Sequence, residues 1–348
     1  MTTVPATKLV DTLDMFGAAA ALPEQIEAAI ERAHAVEGLP DGGQIDNVLV
    51  LGMGGSGVSG DLLAHVAGPF MPVPVVVVKG YEPPSYVNDR TLVFAMSFSG
   101  NTEETLEAVT TAANAGGRIV AVTQGGALAD RCRSWTAPIV PISDDIPQPR
   151  AGLGALAAPM MIVLERLGLF HGAEGWLRFA VDQLKARRDK LAVDGNPAER
   201  LADDLARRVP IIYGGGGLGG LAAMRWKTEF NENARFPAWA NTNPELCHNE
   251  IAGWGQNGDL TRQVFALVKL RHDFEHPQIM RRYEIMEPWL DEVVGDIFEV
   301  RAEGEGPLAQ LLDLSMFGTF TSLHLAAREG IDPGPVPVLD ELKAALGD

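Results

Sequence analysis

At 348 residues the chain is too long for one ordinary hydrophobic core and suits two domains, and a hydrophobic fraction of 46% can fill them. Forty-six acidic residues against 28 basic give a formal charge of −18, which argues against a nucleic-acid partner and against an anionic membrane surface. Two cysteines, Cys132 and Cys247, rule out a disulfide scaffold and point to the cytosol, and neither a basic signal-peptide region nor an apolar run near the ~20 residues of a membrane span is present.

Residues 9–37 read as helical, with Leu13, Phe16, Leu22, Ile26 and Ile30 on one apolar face. Strands and helices then alternate. A buried strand is predicted over 48–52, a helix over 57–67, and a β-branched strand covered on both faces over 75–79. Further strands follow at 92–96, 119–123 and 139–142, with a helix over 102–115. That alternation implies a parallel sheet with helices on both sides. A proline-rich link at 141–149 leads into helix-forming segments over 153–207.

The pattern then restarts. VPIIYGGGGLGGLAAM (209–224) repeats the logic of NVLVLGMGGSGVSGDLL (47–63): a short buried strand, a glycine-rich turn and a helix. Later strands fall at 264–270 and 297–300, and long helices follow Pro307 and Pro337. The fold class is therefore α/β, with two tandem αβα sandwich domains built on parallel sheets behind an N-terminal helical segment. The expected division is 1–150 and 151–348.

GMGGSG (52–57) matches G-x-G-x-x-G between a strand and a helix, where backbone N–H groups can approach an anion. The same motif would suit a nicotinamide dehydrogenase or a plain tight turn. However, the second strand ends at Lys79, where dinucleotide folds place an acid for the ribose hydroxyl. A second anion-ready loop, SFSGNT (97–102), also opens a helix, with Asn101 expected as cap and Glu104 three residues on. One cap would suffice, yet Ser97, Ser99 and Thr102 crowd a single turn at the carboxyl end of a parallel strand. Several hydroxyls together with helix N–H groups suit the three oxygens of a phosphate monoester.

Glu229 and Glu232 lie three apart, on neighbouring positions of one helical face, and either carboxylate could shuttle a proton; the residues alone do not choose between them. Arg150 keeps its proton and can stabilise an anion, whereas His248 can give or take one near neutrality. HDFEH (272–276) formally matches a zinc pattern that needs one continuous helix. Pro277 reads as a first helical residue, which leaves His276 outside that helix, and no metal site is expected. Met280, Met286 and Trp289 read as core at helical spacing.

GMGGSGVSGD, SFSGNTEET, PQPR before a helix, NENA and CHNEIAGW together resemble the bifunctional phosphoglucose/phosphomannose isomerase family, a branch of the SIS-domain (sugar isomerase) superfamily. The resemblance runs from the LPEQ helix to the closing LDELK. It implies an aldose–ketose isomerase acting on a hexose 6-phosphate, without a metal or an organic cofactor. Gly54, Gly55, Ser56, Ser97, Ser99 and Thr102 would then hold the substrate and its phosphate. Arg150 would lie near the developing enediolate, Glu232 would be the base, and His248 would assist ring opening from the partner subunit of a homodimer with shared active sites. Lys343 matches a lysine near the family's C-terminus. One position departs from the family: Gly334 stands where a threonine often precedes that lysine, which bears on acceptance of mannose 6-phosphate beside glucose 6-phosphate. An isomerase of another phosphosugar and a non-catalytic sugar-phosphate sensor are the rival readings, and no basic helix-turn-helix segment supports the sensor.

Overall fold

The computed structural model describes residues 10–346, so Leu9 lies outside the described residues. In chain order the elements are α1 (Met15–Ala20), α2 (Leu22–His34), β1 (Asn47–Gly52), α3 (Gly54–Val66), β2 (Val75–Val78), β3 (Thr91–Met96), α4 (Glu103–Asn114), β4 (Arg118–Thr123), α5 (Gly126–Trp135), β5 (Ile139–Pro141), α6 (Leu153–Arg166) and α7 (Ala173–Leu191). They continue with α8 (Pro197–Leu205), β6 (Val209–Gly215), α9 (Gly216–Asn233), β7 (Trp239–Asn243), α10 (Gly258–Val264), β8 (Phe265–Arg271), α11 (Pro277–Asp291), β9 (Asp296–Arg301), α12 (Pro307–Glu329) and α13 (Pro337–Leu346). The described chain forms two compact units, one of residues 21–182 and 337–346, the other of 10–20 and 183–336. Among the described residues no helix is long and apolar enough to cross a membrane.

The first unit is built on a five-stranded parallel sheet in the order β2-β1-β3-β4-β5. β3 is buried at every residue and β1 and β4 nearly so, as their Val, Leu, Ile and Ala content requires of strands covered on both faces. β2 differs from expectation: all four valines are only half-buried, because the strand lies at the sheet edge. The unit runs past the expected boundary at residue 150 and takes in α6, which packs along α2. Twelve consecutive residues of α6, Leu153 to Leu164, are buried, so this helix can be stable only inside a core.

The single helix expected over 9–37 is two helices in different units. Asp11 accepts hydrogen bonds from the N–H groups of Met15 (2.8 Å) and Phe16 (3.0 Å), which starts α1 at Met15 and leaves Leu13 exposed in the preceding turn. α1 then packs on α12, with the Phe16 ring edge-on to Phe320. Pro23 lies in the first turn of α2, the usual place for proline at a new helix start.

The second unit carries a four-stranded parallel sheet in the order β7-β6-β8-β9. β7 was not expected; WANTN lacks the β-branched run of its neighbours and lies at the edge, with Trp239 exposed. Met286 is core as expected, but Met280 and Trp289 are exposed on α11. α12 is buried along most of its 23 residues, and its Ser315, Thr319 and Thr321 hydroxyls donate to carbonyls four residues back, which satisfies polar groups that water cannot reach. Trp226 of α9 is fully buried, stacks on Phe317 and donates to the Leu314 carbonyl at 2.7 Å. Trp226→Ala should therefore destabilise this unit by about 3–5 kcal/mol, read as a lowered urea midpoint; a loss below about 1 kcal/mol would contradict the packing described.

Candidate active site

In the first sheet β1 is flanked by β2 on one side and β3 on the other, so the chain reverses its direction of progress between β1 and β3. Such a switch point opens a crevice at the carboxyl ends of the strands. The turn after β1 and the loop after β3 both end there, and each opens a long helix: α3 at Gly54 and α4 at Glu103. The peptide dipoles and free N–H groups of both helix starts face this end of the sheet. α4 carries Glu103 and Glu104 in its own first turn, so an anion would share that helix start with two carboxylates.

The segment after β5 closes one side of the crevice. Pro149–Ala151 form a 3₁₀ turn, and its backbone packs directly against Gly55: a Cβ on Gly55 would lie 2.9 Å from the Pro149 carbonyl oxygen. Only glycine fits at that position. The contact fixes Arg150, 5% exposed, beside the glycine turn. Gly54 is exposed with open space around it, and Ser56 is buried at the start of α3. The Lys79 ammonium pairs with Asp61 of α3.

The Ser97–Thr102 loop is braced from within and from outside. The Ser97 hydroxyl accepts from Gly100 N–H (3.1 Å) and lies 3.0 Å from the Thr102 hydroxyl, while the Ser99 hydroxyl accepts from Asn101 N–H (3.2 Å). A hydroxyl that accepts an N–H still has its own O–H to donate. Ser99 is exposed, Thr102 half-buried and Ser97 buried. Asn101 is not the helix cap that was expected: Thr102 holds that position, and Asn101 Oδ1 instead accepts from Ala127 N–H (3.0 Å) in the first turn of α5. Gly100, at φ +74°, lets the chain pass this second loop, for a Cβ there would fall 1.8 Å from the Gly125 carbonyl oxygen.

The second unit holds the remaining acid–base candidates except Lys343. Glu229 is 2% exposed and committed, ion-paired to Arg225 at 2.7 Å and accepting from Asn233 Nδ2 at 2.7 Å. Glu232 lies half-buried in the last turn of α9, whose final carbonyls are capped by the guanidinium of Arg235. His248 is exposed on a 3₁₀ turn, Glu245–His248, soon after β7. Lys343 is exposed on α13, within the residues of the first unit. A Cβ on Gly334 would lie 2.7 Å from Leu13 Cγ, so the space of a larger residue is occupied by leucine.

His276 caps α11, its ring accepting from Gln278 N–H, and the buried His272 ring meets the Gly215 carbonyl oxygen at 2.8 Å. Among the described residues no group of three His, Cys, Asp or Glu is placed to hold a metal ion. A cleft of about 400 Å³ lined by Asn114, Arg118 and Trp135 lies at the amino ends of the strands, away from the crevice that the motifs build.

Family comparisons place this geometry. Residues 44–147 match the SIS domain, and residues 194–346 match the bacterial phospho-glucose isomerase C-terminal SIS domain. The bifunctional phosphoglucose/phosphomannose isomerase of Caldicellulosiruptor bescii is 34% identical over 338 residues, 96% of this chain and 99% of its own length. The chain belongs to the bifunctional phosphoglucose/phosphomannose isomerase family. The enzyme of that name from Thermoplasma volcanium is 31% identical over 87% of this chain and 92% of its own. The fold alone is shared more widely: the C-terminal domain of glucosamine-fructose-6-phosphate aminotransferase from Francisella tularensis superposes with a TM-score of 0.69 at 15% identity, over 92% of this chain and 97% of that one.

For this family member the structure adds residues that pattern reading passed over. Asn101 was visible in SGNT but read as a cap, and the start of α5 that it meets carried no signal except Gly125 and Gly126. Glu229 was visible as an acid but not as a buried one. Glu229→Ala would leave Arg225 buried without its carboxylate and should destabilise the second unit by about 3–5 kcal/mol in urea unfolding; wild-type stability would mean that the pair opens readily to water.

Proposed function

We propose that this chain is a sugar-phosphate isomerase that interconverts glucose 6-phosphate, and secondarily mannose 6-phosphate, with fructose 6-phosphate. The observation that carries the reading is the match to a curated isomerase of that kind over 96% of this chain and 99% of its relative. The phosphate is held by the Ser97, Ser99 and Thr102 hydroxyls, with Gly54, Gly55 and Ser56 lining the turn alongside. Two features support this: both loops end at one switch-point crevice, and bracing of the Ser97–Thr102 loop reduces the ordering cost of binding.

His248 protonates the ring oxygen as the C1 hydroxyl loses its proton, which yields the open aldehyde. Glu232 removes the proton from C2, and the electron pair of that bond forms the C1–C2 double bond of a cis-enediolate. Arg150, permanently charged, stabilises the oxyanion. The C2 hydroxyl proton passes to the C1 oxygen, and Glu232 then delivers its proton to C1 as the C2 oxygen becomes the ketone. Glu232 rather than Glu229 suits this work, because Glu229 is engaged by Arg225 and Asn233 and its removal would cost folding energy. Lys343 assists proton traffic at the ring, and no metal or organic cofactor enters any step. Gly334, with Leu13 in the space beside it, makes mannose 6-phosphate the poorer substrate. The enzyme works in the cytoplasm, at the hexose-phosphate step shared by glycolysis and gluconeogenesis, as a homodimer in which His248 serves the site containing the other chain's Glu232.

Subunit mixing tests the assignment in a coupled assay on glucose 6-phosphate. Glu232→Gln alone should lose about 10²–10⁴-fold in kcat, and His248→Ala alone should be similarly impaired. A refolded equal mixture should recover roughly a quarter of wild-type activity, because half of randomly assembled dimers carry one intact site of two. Absence of recovery after demonstrated exchange would place both residues in one chain, and near-normal activity of Glu232→Gln would remove it as the base.

A further inference from the structure

A histidine that hands a proton to a sugar oxygen must be aimed, and a displacement of about 1 Å can cost on the order of 10²-fold in rate. Yet His248 stands on irregular backbone, between the 3₁₀ turns Glu245–His248 and Glu250–Gly253. The polar contacts around it converge on its second neighbour. Tyr213, fully buried on β6, donates its hydroxyl to Glu250 Oε1, and Asn241 of the edge strand β7 donates Nδ2–H to Glu250 Oε2 at 2.6 Å. Trp254 Nε1 donates to the same tyrosine oxygen at 3.0 Å. Asn249 bridges the two turns: its Oδ1 accepts from Glu250 N–H at 2.6 Å, and its Nδ2 donates to Glu245 at 3.0 Å. Leu246 on one side of the histidine and Trp254 beyond it are buried in the core of this unit.

We propose that Glu250 is a positioning residue for His248, its carboxylate clamped between Tyr213 and Asn241 so that the exposed imidazole is held in one direction for ring opening. This rests on the role of His248 in the reading above. Both groups that meet Glu250 are donors, so the position demands an acceptor at each oxygen, which a carboxylate supplies and a carboxamide cannot. Asn241 is itself oriented, because its Oδ1 accepts from Thr242 N–H at 2.7 Å and leaves Nδ2 to face Glu250. Burial, with the Glu250 carboxylate adding to it, pushes the Tyr213 hydroxyl far above its ordinary range, so the tyrosine remains a donor at every working pH. The clamp joins two neighbouring strands of one sheet, which are rigid relative to the turn they hold.

Ring opening can be read without isomerisation, as enzyme-driven exchange between the α and β anomers of glucose 6-phosphate, followed by NMR in a Glu232→Gln background. Glu250→Gln should lower this exchange by about 10²-fold, as His248→Ala does, and combining the two should add nothing further. Adding Asn241→Asp to Glu250→Gln reverses the donor and acceptor of that bond and should restore most of the exchange. If Glu250→Gln folds poorly, by thermal melting, Tyr213→Phe removes one of the two donors and carries the same comparison. Undiminished exchange in Glu250→Gln, beside a deficient His248→Ala, would overturn the positioning role alone. Undiminished exchange in His248→Ala would overturn the reading of His248 and the positioning role with it. A loss that the swap fails to restore, or that deepens when His248 is also removed, would assign Glu250 an effect of its own and equally overturn the proposal.

Discussion

The contact on which the first unit's crevice depends is the backbone of Pro149–Arg150 lying against the bare Cα of Gly55. It ties the turn that follows β1 to the segment that leaves the sheet's edge at β5, and it sets a buried arginine beside the start of α3. Any side chain at residue 55 would push these backbones apart, and backbone cannot yield as a flexible side chain can. The serine loop is held by the same kind of constraint. Gly100 allows it to pass Gly125 after β4, and Asn101 latches it to the first turn of α5. Rigid backbone therefore presents the hydroxyls, and a ligand there would not have to order the loop first.

The second unit follows a different logic, with its acids sorted by commitment. Along one face of α9, Glu229 is buried in an ion pair and a hydrogen bond, while Glu232 stands at the helix end where burial relaxes. Two glutamates a helical turn apart thus differ in burial, Glu229 inside the core and Glu232 nearer its surface. The segment carrying His248 shows the same economy: Leu246 and Trp254 anchor it, Asn249 and Glu250 fasten its backbone, and the imidazole is exposed.

Much of the fold was legible because buried parallel strands write themselves as unbroken apolar runs, as in NVLVLG and TLVFAM. The elements that escaped were those set by tertiary context. β7 reads WANTN and owes its existence to pairing with β6, and the leading helix starts late, because Asp11 caps it at Met15, and breaks at Ala21, just before Pro23 in the first turn of α2. Met280 and Trp289 had helical spacing but fall on the exposed side of α11, which periodicity alone cannot distinguish from the buried side. At the site the glycine turn and serine loop could be read from motif and position, since each lies between a strand and a helix. The choice between Glu229 and Glu232 was not legible without family resemblance, because burial of a carboxylate is decided by an arginine one turn away and by the helix that covers it. The clamp on Glu250 was hidden for the same reason: its partners lie 37 and 9 residues away in sequence.

The central claim is that a carboxylate moves a proton between two carbons of an open sugar phosphate. Glucose 6-phosphate deuterated at C2, turned over in ordinary water with a chelator present, tests it most directly through the deuterium content at C1 of the fructose 6-phosphate formed. A carboxylate that takes up the label holds it long enough to exchange with solvent, so the account predicts undiminished turnover and a C1 depleted in deuterium relative to the starting C2. Complete retention of deuterium at C1 in product made without chelator, and loss of turnover once chelator is added, would indicate a hydride shift assisted by a metal and would contradict the account.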